Sequence, residues 1–176
     1  HRVRRIGRPD QRIVHVGNPV HAVSLGRRGG RGDGDILRRH GGYRALDVAI
    51  ARGGEYVLGE IESAELTGRG GAAFPTATKW RAVAAHSGTA KHVVANGDES
   101  EPGTFKDRHY LETRPNAFIE GMLIGAYAMG AEQGYLYVRM EYPLAIERFN
   151  IAIKQAKEYG LVHPDQSVRS RRAYPV

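Results

Sequence analysis

The chain contains no cysteine. That absence excludes disulfides and any thiolate-ligated zinc or iron–sulfur cluster within these residues. It fits a cytoplasmic protein without deciding the compartment. Long apolar runs are missing too. No stretch approaches the roughly 20 apolar residues that a membrane-spanning helix needs, and the most apolar segment, 117–131, is interrupted by Glu120 and by glycines. Membrane insertion is therefore not expected. The initial residue is His1 rather than Met, so the chain reads as a fragment, a processed form or a piece of a longer frame.

Sustained periodicity is absent from residues 1–40, where the run GRRGGRGDGD is composed wholly of Arg, Gly and Asp. This arm reads as irregular, with one short strand near Arg12–Val16. No apolar core follows its arginines, which argues against a signal peptide, and its Asp and Gly content argues against a transit peptide. The net charge of +7 also lives here: residues 1–40 hold ten Arg and three Asp, and the remaining sixteen basic and sixteen acidic groups balance. A nucleic-acid partner would rest on the arm alone. An inactive half-domain, or an interaction subunit whose arm binds nucleic acid nonspecifically, is the alternative to an enzymatic reading.

From Gly42 the texture changes, and 176 residues suit one domain with a real core. Tyr43, Leu46 and Ile50 share a helical face closed by Gly53. A second helix is predicted over Glu55–Leu66 with Val57, Leu58 and Ile61 inward, and a third over Thr76–Ala85. KHVVAN (91–96) reads as a buried strand, Lys106–Glu112 as a brief helix and 116–130 as an apolar core helix. Gln133–Arg139 is the next strand and Pro143–Tyr159 a helix stopped by Gly160. Helices alternating with strands over short links imply an α/β fold, a parallel sheet flanked by helices. The tail 163–176 loses pattern and is expected to be disordered. Trp80 is expected to pack on the sheet.

Two loops carry candidate chemistry. Thr67–Trp80 is a glycine-rich turn running into a helix. Gly68, Gly70 and Gly71 let backbone amides approach a ligand, Pro75 and Thr76 read as a helix start that attracts anions, and Phe74 offers a stacking face. A nucleotide or flavin site follows; a structural turn with a solvated Lys79 is the plainer alternative. After the first strand, Asn96-Gly97-Asp98-Glu99-Ser100-Glu101 crowds three carboxylates onto one loop, which raise one another's pKa unless neutralised. Such a loop serves to accept hydrogen bonds from ribose hydroxyls and a ring N–H, to bind a hard metal, or only to face solvent. Magnesium is the weaker option, since Lys79 is followed by Trp80 and no Walker-type Lys-Ser or Lys-Thr pair is present. Both this loop and a second polar rim, Arg139–Tyr142, fall at strand carboxyl ends, where open sheets place ligands. Tyr137, Arg139 and Glu141 alternate toward one face; a plain Arg139–Glu141 ion pair is the competing reading. His86, His92 and His109 form no metal-type pair.

The strings GRGGAAFPTATKW, VVANGDESEPGTFKDR, IEGMLIGAYAMGAEQGYLYVRMEYP and IAIKQAKEYG, in this order, closely resemble the 51 kDa-type flavoprotein subunit of NADH:quinone oxidoreductase, complex I. The resemblance runs from about Gly42 to Val162 and extends to diaphorase subunits of NAD-linked hydrogenases and formate dehydrogenases. It implies a Rossmann-like FMN-binding domain over 41–162, incomplete on its C-terminal side, that takes NADH and passes electrons to a 4Fe-4S cluster outside this chain. By motif match, Gly68, Arg69, Gly70 and Gly71 would line the dinucleotide loop, Phe74 would stack on the NADH adenine, and Lys79 would bond flavin or nucleotide oxygens. Asn96, Asp98 and Glu99 would contact FMN, Glu101 would position the nicotinamide end, and Tyr137 and Glu141 would complete the flavin pocket. Glu101 and Lys79 are thus the candidates closest to the chemistry. Implied partners are NADH and the iron–sulfur subunits of a complex I-like, hydrogenase or formate dehydrogenase assembly, peripheral to any membrane. Ala73, Ala77 and Met140 stand where the family usually has glycine. The family's second glycine-rich loop, its ubiquitin-like domain and its four-cysteine bundle lie beyond this chain.

Overall fold

The computed structural model describes residues 11–17, 42–88 and 90–162. The expectations for the tail 163–176, and for the arm apart from one strand, fall outside the described residues. That strand, β1, spans Gln11–Gly17; α1 follows at Arg44–Arg52, α2 at Gly54–Ser63 and α3 at Thr76–Ala85. Next come β2 (His92–Gly97), α4 (Lys106–Thr113), α5 (Pro115–Met129), β3 (Gln133–Arg139) and α6 (Pro143–Glu158). The second helix stops at Ser63, short of the expected Leu66; the other elements lie within two residues of their sequence-based bounds.

β2 and β3 pair in parallel, from His92 opposite Gln133 to Gly97 opposite Val138. Parallel neighbours need a crossover, and α4 with α5 supplies it. The sheet is not wholly parallel, however. β1 pairs antiparallel with β3, giving the order β1-β3-β2 and setting Gln11 opposite Arg139. Local pattern located β1 but could not give its direction, because its partner lies more than a hundred residues away.

α5 is the centre of the molecule. Ile119, Met122, Leu123, Gly125, Ala126, Ala128 and Met129 are all buried, and the helix meets α1, α2, α3, α6 and both parallel strands. A helix apolar around most of its circumference is a core helix. One cluster gathers Leu123, Leu136, Val138, Phe149 and Ile153 between the sheet, α5 and α6. A smaller one joins Ala49, Val57, Leu58 and Ala128, with Trp80 packed against it. Trp80 therefore packs on helices, not on the sheet: Gly125 is the notch that admits it, since a Cβ there would meet the indole Cη2 at 2.9 Å. Glu120 also has a function in this core. Its carboxylate accepts from the amides of Tyr43 and Leu46 (both 3.1 Å), tying the start of α1 to α5.

Only one face of the sheet is covered by these helices. In β3, residues 134, 136 and 138 are buried and the alternate ones only partly so. In β2, Val94 remains 63% exposed and Asn96 is exposed beside it. Among the described residues no helix is long and apolar enough to cross a membrane.

Candidate functional site

The glycine loop is closed at its base. The Thr76 amide donates to the Leu66 carbonyl and the Gly68 amide to the Phe74 carbonyl, both at 2.9 Å, with Thr67 and Pro75 bridged antiparallel. Within this loop Gly71 has φ +100°, a conformation that suits glycine, but Ala73 also has positive φ, 49°. Residues 68–75 are all exposed. A Cβ added at Gly70 or Gly71 would meet nothing within 4 Å, so the loop backbone faces open space. Phe74 presents 54% of its surface to solvent. The loop feeds α3, whose N-cap position is Pro75 and carries no side-chain cap; the Thr76 amide is taken by Leu66, and the Ala77 and Thr78 amides that follow keep their capacity for an anion. Lys79 is exposed one turn in. α3 is fixed on its other side by Trp80 and by Arg81, which forks to Glu55 at 2.8 Å and Glu62 at 3.0 Å on α2.

The carboxylate loop is more internally committed than its composition suggests. Asn96 Oδ1 accepts from the Asp98 amide at 3.0 Å, and the Ser100 hydroxyl donates to Asp98 Oδ1 at 3.2 Å. Glu99 is only 5% exposed. Its Oε1 accepts from the Asp107 amide at 2.8 Å and its Oε2 from the Arg108 amide at 2.9 Å, so it caps α4 from outside the helix. Burial works against this carboxylate, yet the two amides and the nearby Lys106 ammonium hold its pKa below the ordinary value. Glu101 is exposed, and its carbonyl accepts from the Thr104 amide.

Arg139 joins this loop to the strand end. Its guanidinium donates to the Glu99 carbonyl and, at 2.7 Å, to Glu141 Oε1, and its Nε lies 3.9 Å from Asp98 Oδ1. The Arg139–Glu141 ion pair is thus formed. β3 ends at Arg139, so Glu141 sits in the following turn and does not continue the strand face of Tyr137 and Arg139. Hydrogen bonding to Arg139 lowers the Glu141 pKa. Tyr142 is flanked by two guanidiniums, Arg108 at 5.2 Å and Arg139 at 6.0 Å from its ring centre.

The twelve expected site residues thus form two groups. Gly68, Arg69, Gly70, Gly71, Phe74 and Lys79 lie on the loop and first turns of α3. Asn96, Asp98, Glu99, Tyr137 and Glu141 gather where β2 and β3 end side by side, Asn96 directly opposite Tyr137, with Glu101 at the loop's outer end. α5 supports both groups, because it packs on α3 and on both strands. A groove of about 240 Å³ beside Glu112, Asn116, Arg148 and Gln155 contains none of them. The residues fit a planar, anionic cofactor in part. Open space at Gly70 and Gly71, an exposed aromatic face and uncapped helix amides suit phosphate and a ring; Glu99 and Glu141 already spend hydrogen-bonding capacity on protein partners. Sequence reasoning did not find the Glu99 cap, the Arg139 clamp or the Glu120 tie. An arginine and a glutamate flanking a strand end was the one signal available.

The Nuo51 FMN-binding domain family matches residues 61–176. The F 2 subunit of the Rhizobium meliloti NADH-quinone oxidoreductase is 47% identical over 135 residues, 73% of this chain and 31% of that protein. Its counterpart in the NADH-quinone oxidoreductase of Aquifex aeolicus is 42% identical over 128 residues, covering 73% and 30%. HndC of the NADP-reducing hydrogenase of Solidesulfovibrio fructosivorans is 43% identical over 121 residues, covering 69% and 24%. Among solved structures, that of an NAD+-reducing NiFe hydrogenase in the air-oxidized state superposes with a TM-score of 0.58 at 39% identity, over 61% of this chain and 19% of that one. The chain thus spans a third or less of the length of these relatives.

Proposed function

The chain belongs to the Nuo51 FMN-binding domain family, a family of oxidoreductase subunits, and on that premise we propose that it contributes the flavin- and dinucleotide-binding part of an NADH-oxidising enzyme. The observation that carries the reading is the glycine loop. Its backbone is exposed, nothing stands within 4 Å of a Cβ at Gly70 or Gly71, and it leads into a helix without a side-chain cap. Backbone amides of Arg69, Gly70 and Gly71 bind phosphate or ribose oxygens there, with Gly68 closing the base of the loop. Phe74 stacks on the adenine of NADH, while Arg69 and Lys79 neutralise the anion. Asn96, Asp98 and Tyr137 orient the flavin from the strand ends, Glu99 and Glu141 complete that wall, and Glu101 positions the nicotinamide. No side chain need move a proton, because hydride transfer depends on holding two rings in contact. FMN, when bound, supplies the passage from two-electron to one-electron chemistry. An iron–sulfur cluster that took up the electrons would draw its cysteine ligands from outside these residues, which contain none.

Two measurements on the full chain test this. Adding the protein to FMN should quench flavin fluorescence saturably; no quenching would remove the proposed role. With flavin loaded, NADH should reduce ferricyanide, and Phe74→Ala should raise the apparent KM for NADH about tenfold, since stacking one base contributes on the order of 1–3 kcal/mol.

A further inference from the structure

We propose that Arg139 is a positioning residue for the cofactor wall, a clamp that sets the 98–101 loop against the end of β3. The inference rests on the functional reading above and adds to it a residue that the motif match does not assign. Arg139 occupies the last position of β3, opposite Gln11 of β1 and one step past the Gly97–Val138 pair. From there one guanidinium reaches the Glu99 main-chain carbonyl, the Glu141 carboxylate and the neighbourhood of Asp98, and lies over the Tyr142 ring. The loop is held from both sides: the α4 amides grip the Glu99 side chain, and Arg139 grips the Glu99 backbone.

Two physical points make arginine the residue for this position. The planar fork satisfies a carbonyl and a carboxylate at once, which a lysine ammonium on a flexible stem does less well. Carboxylates at 98, 99 and 141 gather at this strand end, with Glu101 at the outer end of the loop, and unscreened like charges would push the loop outward and oppose an anionic cofactor. Arg139 lies on the strand side of that cluster and Lys106, 3.8 Å from Glu99 Oε1, on the α4 side, while the Arg108 side chain pairs with Glu112. The orientation of Asn96 and Asp98, which lead into the clamped residue, follows from the clamp.

The test compares the full chain with Arg139→Met and Arg139→Lys by two readouts. Amide hydrogen exchange needs no flavin. In Arg139→Met, exchange at 98–108 should accelerate about tenfold while the amides of α5 stay as they were, a local opening and not global unfolding. FMN titration should show a dissociation constant raised about tenfold in Arg139→Met, with Arg139→Lys recovering part of both effects because it keeps the charge without the fork. Unchanged exchange at 98–108 overturns the clamp. Faster exchange with an unchanged FMN dissociation constant overturns its positioning role. If the unaltered chain takes up no flavin, the functional reading fails and the positioning role with it, while exchange still decides whether Arg139 holds the loop.

Discussion

Ala73 holds a left-handed backbone, φ 49°, in the exposed loop before α3. For an L-residue with a Cβ that region costs about 1 kcal/mol or more, and glycine occupies it freely. Ala73→Gly is expected to raise stability by roughly 0.5 kcal/mol, the relief of strain being partly offset by the greater freedom of glycine in the unfolded chain. A rise in the urea midpoint at constant slope would register it. Glu99 makes the opposite kind of prediction. Glu99→Gln keeps the shape but leaves one oxygen to accept where two did and turns an NH2 donor toward the other backbone amide, and should cost about 1–3 kcal/mol. Because the folded-state pKa of Glu99 lies below its ordinary value, its contribution is fully present above the unfolded carboxylate pKa and is lost as pH falls through the folded one. Denaturation curves between pH 7 and pH 3 should therefore converge for the two proteins at the acid end.

At the level of elements, the placement of the glycine loop depends on α3, and α3 depends on a notch in α5. Gly125→Val would set a branched side chain where the Trp80 indole lies 2.9 Å from an added Cβ. Overpacking of this kind costs about 1–3 kcal/mol. Tryptophan emission should shift to the red as the only Trp leaves the cluster, and flavin uptake should fall because α3 carries the loop with it. An unshifted emission maximum would show that the notch does not hold α3. The bounds of α3 and β3 were legible in the sequence because Pro75, Arg139 and Pro143 punctuate them. The notch was not, since a glycine inside an apolar helix looks the same whether it weakens the helix or receives a neighbour. Nor could sequence separate a capping Glu99 from a ligand-binding one, because the amides it caps lie eight and nine residues downstream. The direction of β1 was hidden for a similar reason: strand pairing is set by contacts across the sheet and not by local pattern.

For the molecule as a whole, charge and function separate. The excess positive charge belongs to residues 1–40, while the remainder of the chain is balanced, so under the proposed function anion affinity would come from backbone amides and from Arg69 and Lys79. One face of the sheet is packed by α5 and α6 and the other leaves Val94 and Asn96 open. The motif residues were legible because glycine spacing and clustered acids are local features. Their division into a loop group and a strand-end group became visible only with α5 in place beneath both. Flavin binding requires those two groups to act as one cofactor wall. Backbone amide chemical shifts of the full chain, followed by nuclear magnetic resonance as FMN is added, test that most directly. Amides of Gly68–Gly71 and of Asn96–Glu101 should move together and saturate at one flavin per chain. Shifts confined to one group, or gathered around Asn116 and Gln155 instead, would contradict it.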